Sequence, residues 1–487
     1  MNKKLYHIFL IILIACHLFY WLLVYPNPDE AYYWQWGRYP AISYHDHPAL
    51  PPLLQGLLYN WFGKSLFVLR LPVVLSTLLS LFIYSKLLNR LGFRENKKAI
   101  LLLIFSIPLI FLFTSFAWHD HLMMVMLLCS AYFWLRFFAE KYEGSKGKSM
   151  DIFLAFLFLG LAAVSKYNAV FLALAVASVT LFNKQLHSVW RDVRFYSGII
   201  LCATIISPIF IWNAQNQYGS FEFTLAQRTI QPFMEGRFFK GNIFGFLLGT
   251  LALLTPFIMY FCIRKSLHKN QETDTYKSVY TSFAKHLFWW SSGIFLFLSL
   301  FSNVLYYWNI PAYLLLLPLV VQFMIATYPK LAKATLLYSA IVITLVVTHF
   351  GIVPLTVFAG AKDNDGAYHY GWGKVKETIV SQPEYNSRVP LFGSSYRVAS
   401  LLAYTLDRKD VFSYSERFDQ FDYWTKNIRY NQPQAFILAD DYSDVDDELM
   451  QIFENIQLSD TIKIDRFGFP VKEYYLYKGT LKAIHVK

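Results

Sequence analysis

Long apolar runs separated by short polar connections dominate this chain. Eleven stretches are read as membrane spans: roughly 5–25, 66–88, 99–117, 121–139, 152–165, 168–182, 196–213, 243–263, 286–304, 309–327 and 334–357. The fifth and sixth are short and read as a tight helical pair. The first follows Lys3 and Lys4, as a signal peptide would. Its apolar run is too long for a signal h-region and reaches Tyr25 without a small-residue cleavage site, so a retained span is expected.

The pattern changes after residue 357. "VPLFGSS" (389–395) and "QAFILADD" (434–441) read as buried strands, and "DTIKID" and "EYYLYKG" as two more. "RVASLLAYTLD" (397–407) and "VDDELMQIFENI" (445–456) carry helical periodicity. The expected fold class is therefore a multi-pass α-helical membrane protein with a small C-terminal α/β domain. Its division is a transmembrane part over 1–357, with long outer loops 26–65 and 214–242, and an extracytoplasmic domain over 358–487. No internal repeat is visible, which weakens an inverted-repeat transporter reading.

Composition agrees with this division: 56% of the 487 residues are hydrophobic, 19% are aromatic and only 16% are charged. The net charge of +12 is unevenly spread. Residues 360–487 hold sixteen basic and nineteen acidic residues, so the surplus belongs to the membrane part. With a cytoplasmic N-terminus, the inner connections carry twenty Lys and Arg. The short outer ones carry six: Arg38, Lys64, Lys166, Arg228, Arg237 and Lys240. Topology thus accounts for the basic excess, and nucleic acid is not an expected partner. The four cysteines all fall in spans, so neither a disulfide framework nor a thiol metal site is indicated.

Chemistry gathers where the chain leaves the first span, in "PNPDEAYYWQWGRYPAISYHDHPALPP" (26–52). Asn27, Pro28 and Glu30 have the spacing of a capping box, so one reading makes Asp29 and Glu30 the start of a helix. That reading explains Glu30 better than Asp29, whose side chain the cap does not need. "YHDHP" sets His45 and His47 about Asp46, a nitrogen–oxygen set suited to a divalent metal or to phosphate. A second such triplet, His119-Asp120-His121, starts the fourth span on the same outer side. Lys166, with Tyr167 beside it, is a lone base in an outer connection. Snorkelling into water and pairing with an anion both account for it. Arg228, Arg237 and Lys240 add charge that suits phosphate. Together these groups describe a site at the outer bilayer face, with carboxylates to activate a hydroxyl and cations or a metal to receive a lipid phosphate.

"DEAYYWQWGRYPAISYHDHPAL" resembles the first periplasmic loop of the family 39 glycosyltransferases of the GT-C membrane fold. That family includes protein O-mannosyltransferases, the lipid A aminoarabinose transferase and the bacterial enzymes that glycosylate lipopolysaccharide. Further similar segments are Asp120 at the start of span four, "SKYNAV", "LGTLALLTP" (248–256), "WNIPAYL" (308–314), "YGWGKV" (370–375), "SSYRVASLLAYTL" (394–406) and "FDQFDYW" (418–424). The resemblance covers most of the chain and lies nearest the bacterial lipopolysaccharide branch. Two departures stand out. His47-Pro48 replaces a Lys-Pro-Pro-like run of the aminoarabinose transferase, and His119 and His121 flank Asp120 where the family often has proline before the acid.

The resemblance implies an inner-membrane enzyme of the bacterial envelope that moves a sugar from a polyprenyl-phosphate donor to lipid A, lipopolysaccharide or another glycan, with inversion. Asp29 would be the general base. Glu30, Arg38, His45, His47, Asp120, Lys166, Tyr167 and Arg228 would face the substrates. A divalent Zn, Mn or Mg ion, if used, would be held near Asp46, His47 and Asp120. A protein O-mannosyltransferase-like acceptor and, in a different class, a lipid or glycan transporter are the competing readings. The topology is open to reporter fusions. A fusion after residue 487 is expected to report the outer side and one within 264–285 the cytoplasm. The reverse at either place breaks the map.

Overall fold

The computed structural model describes residues 3–236, 240–270, 272–426 and 428–485. Two compact units emerge, and their boundary is not the one expected at residue 357. One comprises Met1–His17, Ile42–Pro51 and Pro72–Ile343; the other comprises Leu18–Ala41, Pro52–Leu71 and Thr344–Lys487. The loop 26–65 is thus divided between them.

The first unit is helical. Among the described residues of the chain, five helices are long and apolar enough to cross a membrane, or up to eight if each bent pair is one span. The helices His119–Tyr142 and Ser149–Ala163 pack side by side, the second being shorter than an ordinary span. Val193–Gln215 packs on Ser149–Ala163, with Gly198 against the Phe156 ring.

Several apolar runs break where proline dictates. The run expected as one span over 99–117 is two helices, Lys97–Ser106 and Pro108–Phe113. Between them Ile107 is extended (φ −63°, ψ 125°), the conformation that a following proline favours. Ile243–Leu254 and Pro256–Leu267 meet at a bend of 103°. Thr255 between them has φ 74°, and its side chain accepts from the Ile258 amide at 3.4 Å. Tyr306–Leu314 and Leu316–Thr327 bend by 75°. Asn309 in that pair is buried and bonds Ser291 at 2.7 Å, Ser292 at 3.0 Å and Tyr313 at 3.0 Å.

The second unit carries a mixed five-stranded sheet of order β2-β1-β3-β5-β4. The strands are β1 Leu391–Gly393, β2 Val411–Ser413, β3 Gln434–Asp440, β4 Phe453–Arg466 and β5 Phe469–Leu481. β1 runs parallel to both β2 and β3, while β5 is antiparallel to β3 and β4. Phe392, Phe412, Ile437, Leu449 and Phe453 lie in its core. Of the four strand segments read from sequence, 389–395 and 434–441 contain β1 and β3, and 460–465 and 473–479 lie within β4 and β5. The segment 445–456 differs: only Asp447–Met450 is helical, and β4 begins at Phe453. The β4–β5 turn explains itself, since Phe467 (φ 53°) and Gly468 (φ 82°) are both left-handed, as a tight hairpin turn requires.

The start of this unit is fixed by one buried ion pair. Asn27 caps the helix Pro28–Arg38: its Oδ1 accepts from the Glu30 amide at 2.9 Å, and Glu30 Oε2 accepts from the Asn27 amide at 3.2 Å. Arg70 donates to both Glu30 oxygens, Nε to Oε1 at 2.9 Å and Nη2 to Oε2 at 2.8 Å. Its Nη1 donates to the carbonyls of Tyr20 (2.6 Å) and Val24 (2.7 Å), where the helix Lys3–Leu23 ends. Carbonyls at a helix end lack intrahelical partners, so Arg70 caps one helix while holding the capping-box glutamate of the next. Both side chains have zero exposure. Breaking such a buried pair from one side is expected to cost roughly 3–5 kcal/mol. Glu30→Gln and Arg70→Met each are expected to lower the unfolding midpoint in detergent strongly. A midpoint unchanged for both would show that the pair does not hold this unit together.

Candidate functional site

The first unit gathers seven of the residues singled out from sequence: His45, Asp46, His47, Asp120, Lys166, Tyr167 and Arg228. The segment holding the first three is a tight turn, with Ser43 bridged to Pro48. It docks through the Leu50 amide on the Val164 carbonyl at 3.1 Å. Val164 lies two residues before Lys166, so this turn and the 164–167 connection pack together.

Asp120 sits in the first turn of His119–Tyr142, where a carboxylate suits the helix dipole. Lys166 is extended (φ −160°, ψ 142°), and its Nζ donates to Asp120 Oδ2 at 2.6 Å. Asp120 and Lys166 are only 2% and 5% exposed, so Lys166 does not snorkel into water: it is a buried cation with an anionic partner. The Tyr307 ring lies 5.7 Å from that ammonium and stacks on Trp118 at 5.4 Å. The two His-Asp-His segments do meet, since the His47 and His119 rings are 4.6 Å apart. His121 turns elsewhere, its Nδ1 at 2.9 Å from Ser76 Oγ.

Tyr167 Oη lies 2.6 Å from Ser220 Oγ. Arg228 belongs to a π-helical run, Glu222–Ile230, a wide coil found frequently at functional sites. Its guanidinium lies 4.0 Å from the Phe223 ring, and the His45 ring packs at 4.8 Å from the same Phe223. Lys240 is exposed, and Arg237 lies outside the described residues.

The residues expected to hold a metal do not fit one. Among the described residues no group of three or more His, Cys, Asp or Glu side chains is placed to hold an ion. Asp46, His47 and Asp120 therefore do not form a ligand set. Asp120 Oδ2 is instead paired with the Lys166 ammonium.

The second unit contains Asp29, Glu30 and Arg38. The expectation that Glu30 faces substrate is corrected: it is fully buried, and Arg70 and the cap engage both its oxygens. Arg38 is also committed to structure. It donates to Asp407 at 2.9 Å and lies 4.8 Å and 4.6 Å from the Trp34 and Tyr59 rings. Asp29 is not buried as Glu30 is: it is partly exposed. The Tyr396 hydroxyl donates to its Oδ1 at 3.4 Å. Arg397 Nε in turn donates to the Tyr396 oxygen at 3.4 Å, and the Arg417 guanidinium lies 4.4 Å from the Tyr396 ring.

Sequence reasoning missed Tyr396, Arg397 and Arg417 as neighbours of Asp29, because nothing in a single sequence pairs residues so far apart. It also missed Arg70 as the partner of Glu30, though an arginine within an apolar span was itself a signal.

A family model described as "Dolichyl-phosphate-mannose-protein mannosyltransferase" matches residues 46–212, about a third of the chain. The match begins at Asp46 and takes in Asp120, Lys166 and Tyr167, but not Asp29. The fold is similar to that of ArnT from Cupriavidus metallidurans bound to undecaprenyl phosphate. That similarity has a TM-score of 0.62 at 14% identity and covers 97% of each chain. The apo form of the same ArnT gives a TM-score of 0.63 at 15% identity, covering 96% of this chain and 97% of that one. The family match thus covers residues 46–212, and the similarity of fold extends over nearly all of the chain. No match was found among curated protein sequences.

A double-mutant cycle tests the central pair of the first unit. Asp120→Asn and Lys166→Met each are expected to cost roughly 3–5 kcal/mol, and the double variant clearly less than their sum. Strict additivity in unfolding experiments would show that the two charges do not act together.

Proposed function

We propose that this chain is a multi-pass membrane glycosyltransferase that moves a sugar from a polyprenyl-phosphate donor to a hydroxyl of a cell-envelope glycolipid or glycan on the outer membrane face. The observation that carries the reading is the division of roles within the Asp29-Glu30 pair. Glu30 is locked by Arg70, whereas Asp29 keeps a partly exposed carboxylate touched by a tyrosine hydroxyl. The family match over 46–212 and the ArnT-like fold support the same class of reaction.

In this mechanism Asp29 takes the acceptor proton as the acceptor oxygen attacks the anomeric carbon. A new carbon–oxygen bond forms there while the bond to the phosphate oxygen breaks, and the electron pair leaves with the lipid phosphate. One displacement inverts the anomeric centre, and no covalent sugar–enzyme intermediate is needed. Lys166, oriented by Asp120, and Arg228 are the cations assigned to the phosphate. Tyr396 positions the base. Burial and then the Asp29 charge push its phenol up, so it keeps its proton and donates at neutral pH. No step is routed through a metal.

The match to a dolichyl-phosphate-mannose-protein mannosyltransferase family favours one second reading, in which the acceptor is a protein hydroxyl. Mass spectrometry of lipid A, surface glycans and exported proteins from cells with and without the gene separates the two. A sugar lost only from proteins would overturn the glycolipid assignment.

Asp29→Asn keeps the shape but not the basicity, so it should insert normally and lose roughly two to four orders of magnitude in turnover. Near-normal transfer would return Asp29 to a purely structural place. Tyr396→Phe removes a hydrogen bond that favours the ionised carboxylate, which raises the pKa of Asp29. The acidic limb of the kcat/KM profile should therefore move to higher pH. An unmoved limb would uncouple Tyr396 from the base.

A further inference from the structure

The connection that joins Pro256–Leu267 to Thr275–Leu298 borders an open hollow of about 200 Å³. Lys265, His268, Lys269, Glu272, Thr281 and Lys285 line it. Asn270 shapes the loop by donating to the Ser278 carbonyl at 3.0 Å and accepting from the Glu272 amide at 3.3 Å. Three ammonium groups face one carboxylate, and Glu272 reaches only Lys265, at 3.9 Å. Lys285 donates to the His268 carbonyl, which draws the amine toward the hollow. Burial, and after it the nearby Lys265, push the Lys285 amine down.

A second observation points to a ligand. The Thr281 hydroxyl is 1% exposed and has no hydrogen-bond partner among the described residues, although it lines the hollow. A buried donor without a partner is costly, and a bound oxyanion would satisfy it. The surroundings narrow the source. Ile263, Leu267 and Trp289, on the two helices that bear the site, are 40%, 68% and 46% exposed, apolar surface suited to acyl chains.

We infer that this hollow binds the phosphate of an anionic phospholipid headgroup, in the leaflet that faces the Lys- and Arg-rich connections. Lys265, Lys269 and Lys285 supply the charge, Thr281 donates a hydrogen bond, and the exposed Leu267 and Trp289 meet the lipid tails. The site takes no part in the sugar-transfer reading and stands independently of it.

The test uses the full-length protein in phosphatidylcholine vesicles with and without phosphatidylglycerol, with retained lipid counted by native mass spectrometry. Wild type is expected to hold one phosphatidylglycerol in preference to phosphatidylcholine. The Lys265→Gln/Lys269→Gln variant should lose that preference roughly 30-fold, at about a factor of five per lysine. Thr281→Val, nearly isosteric and apolar, should weaken retention severalfold without disturbing insertion. A parallel titration with inorganic phosphate distinguishes the sources. Phosphate binding that needs the same lysines, without phosphatidylglycerol preference, would overturn the lipid assignment in favour of a soluble phosphate. Equal retention by wild type and all variants would overturn the site itself.

Discussion

The pairing of Glu30 with Arg70 is the constraint from which the candidate chemistry follows. One guanidinium satisfies carbonyls at the end of Lys3–Leu23 and both oxygens of Glu30, in the first turn of Pro28–Arg38. An isolated charge so deeply buried would be prohibitive, so neither partner is separable from the other. Successive residues of a helix point about 100° apart. Fixing Glu30 inward therefore turns Asp29 to a different face, where it meets the Tyr396 hydroxyl. Two adjacent carboxylates acquire different roles from geometry alone.

The same logic of paired charges recurs in the helical unit. Arg136 meets Asp151 at 3.1 Å, and Lys141 meets Asp192 at 2.8 Å. Asp120 and Lys166 are the most deeply buried of these pairs, and they lie beside the aromatic rings of Tyr307 and Trp118. A cation fixed among rings and one carboxylate is a suitable receiver for an anion.

Local rules made much of this visible beforehand. The capping box at Asn27 and Glu30, the apolar helices, and the strands within 389–395, 434–441, 460–465 and 473–479 were legible because each rests on neighbours in sequence. The breaks at Ile107 and Thr255 were not read, although Pro108 and Pro256 marked them, because hydropathy runs on across a bend. The three-residue strand β2 was too short to show a pattern of its own. Long-range partners were beyond reach. Arg70 stood out as a charge in an apolar span, but only the fold shows that it answers Glu30. Tyr396 lies 367 residues from Asp29. The compact units likewise divide the loop 26–65 at Ala41 and Pro51, where nothing in composition changes.

The central claim is a single displacement assisted by one carboxylate. It is tested most directly by the anomeric configuration of the product. Purified protein in vesicles would be given a polyprenyl-phosphate sugar of known configuration and an envelope glycolipid, and the new linkage would be read by nuclear magnetic resonance. The account predicts release of one polyprenyl phosphate per linkage formed, with inverted configuration at the anomeric carbon. Retained configuration would require a covalent intermediate and a second nucleophilic carboxylate, and would contradict it.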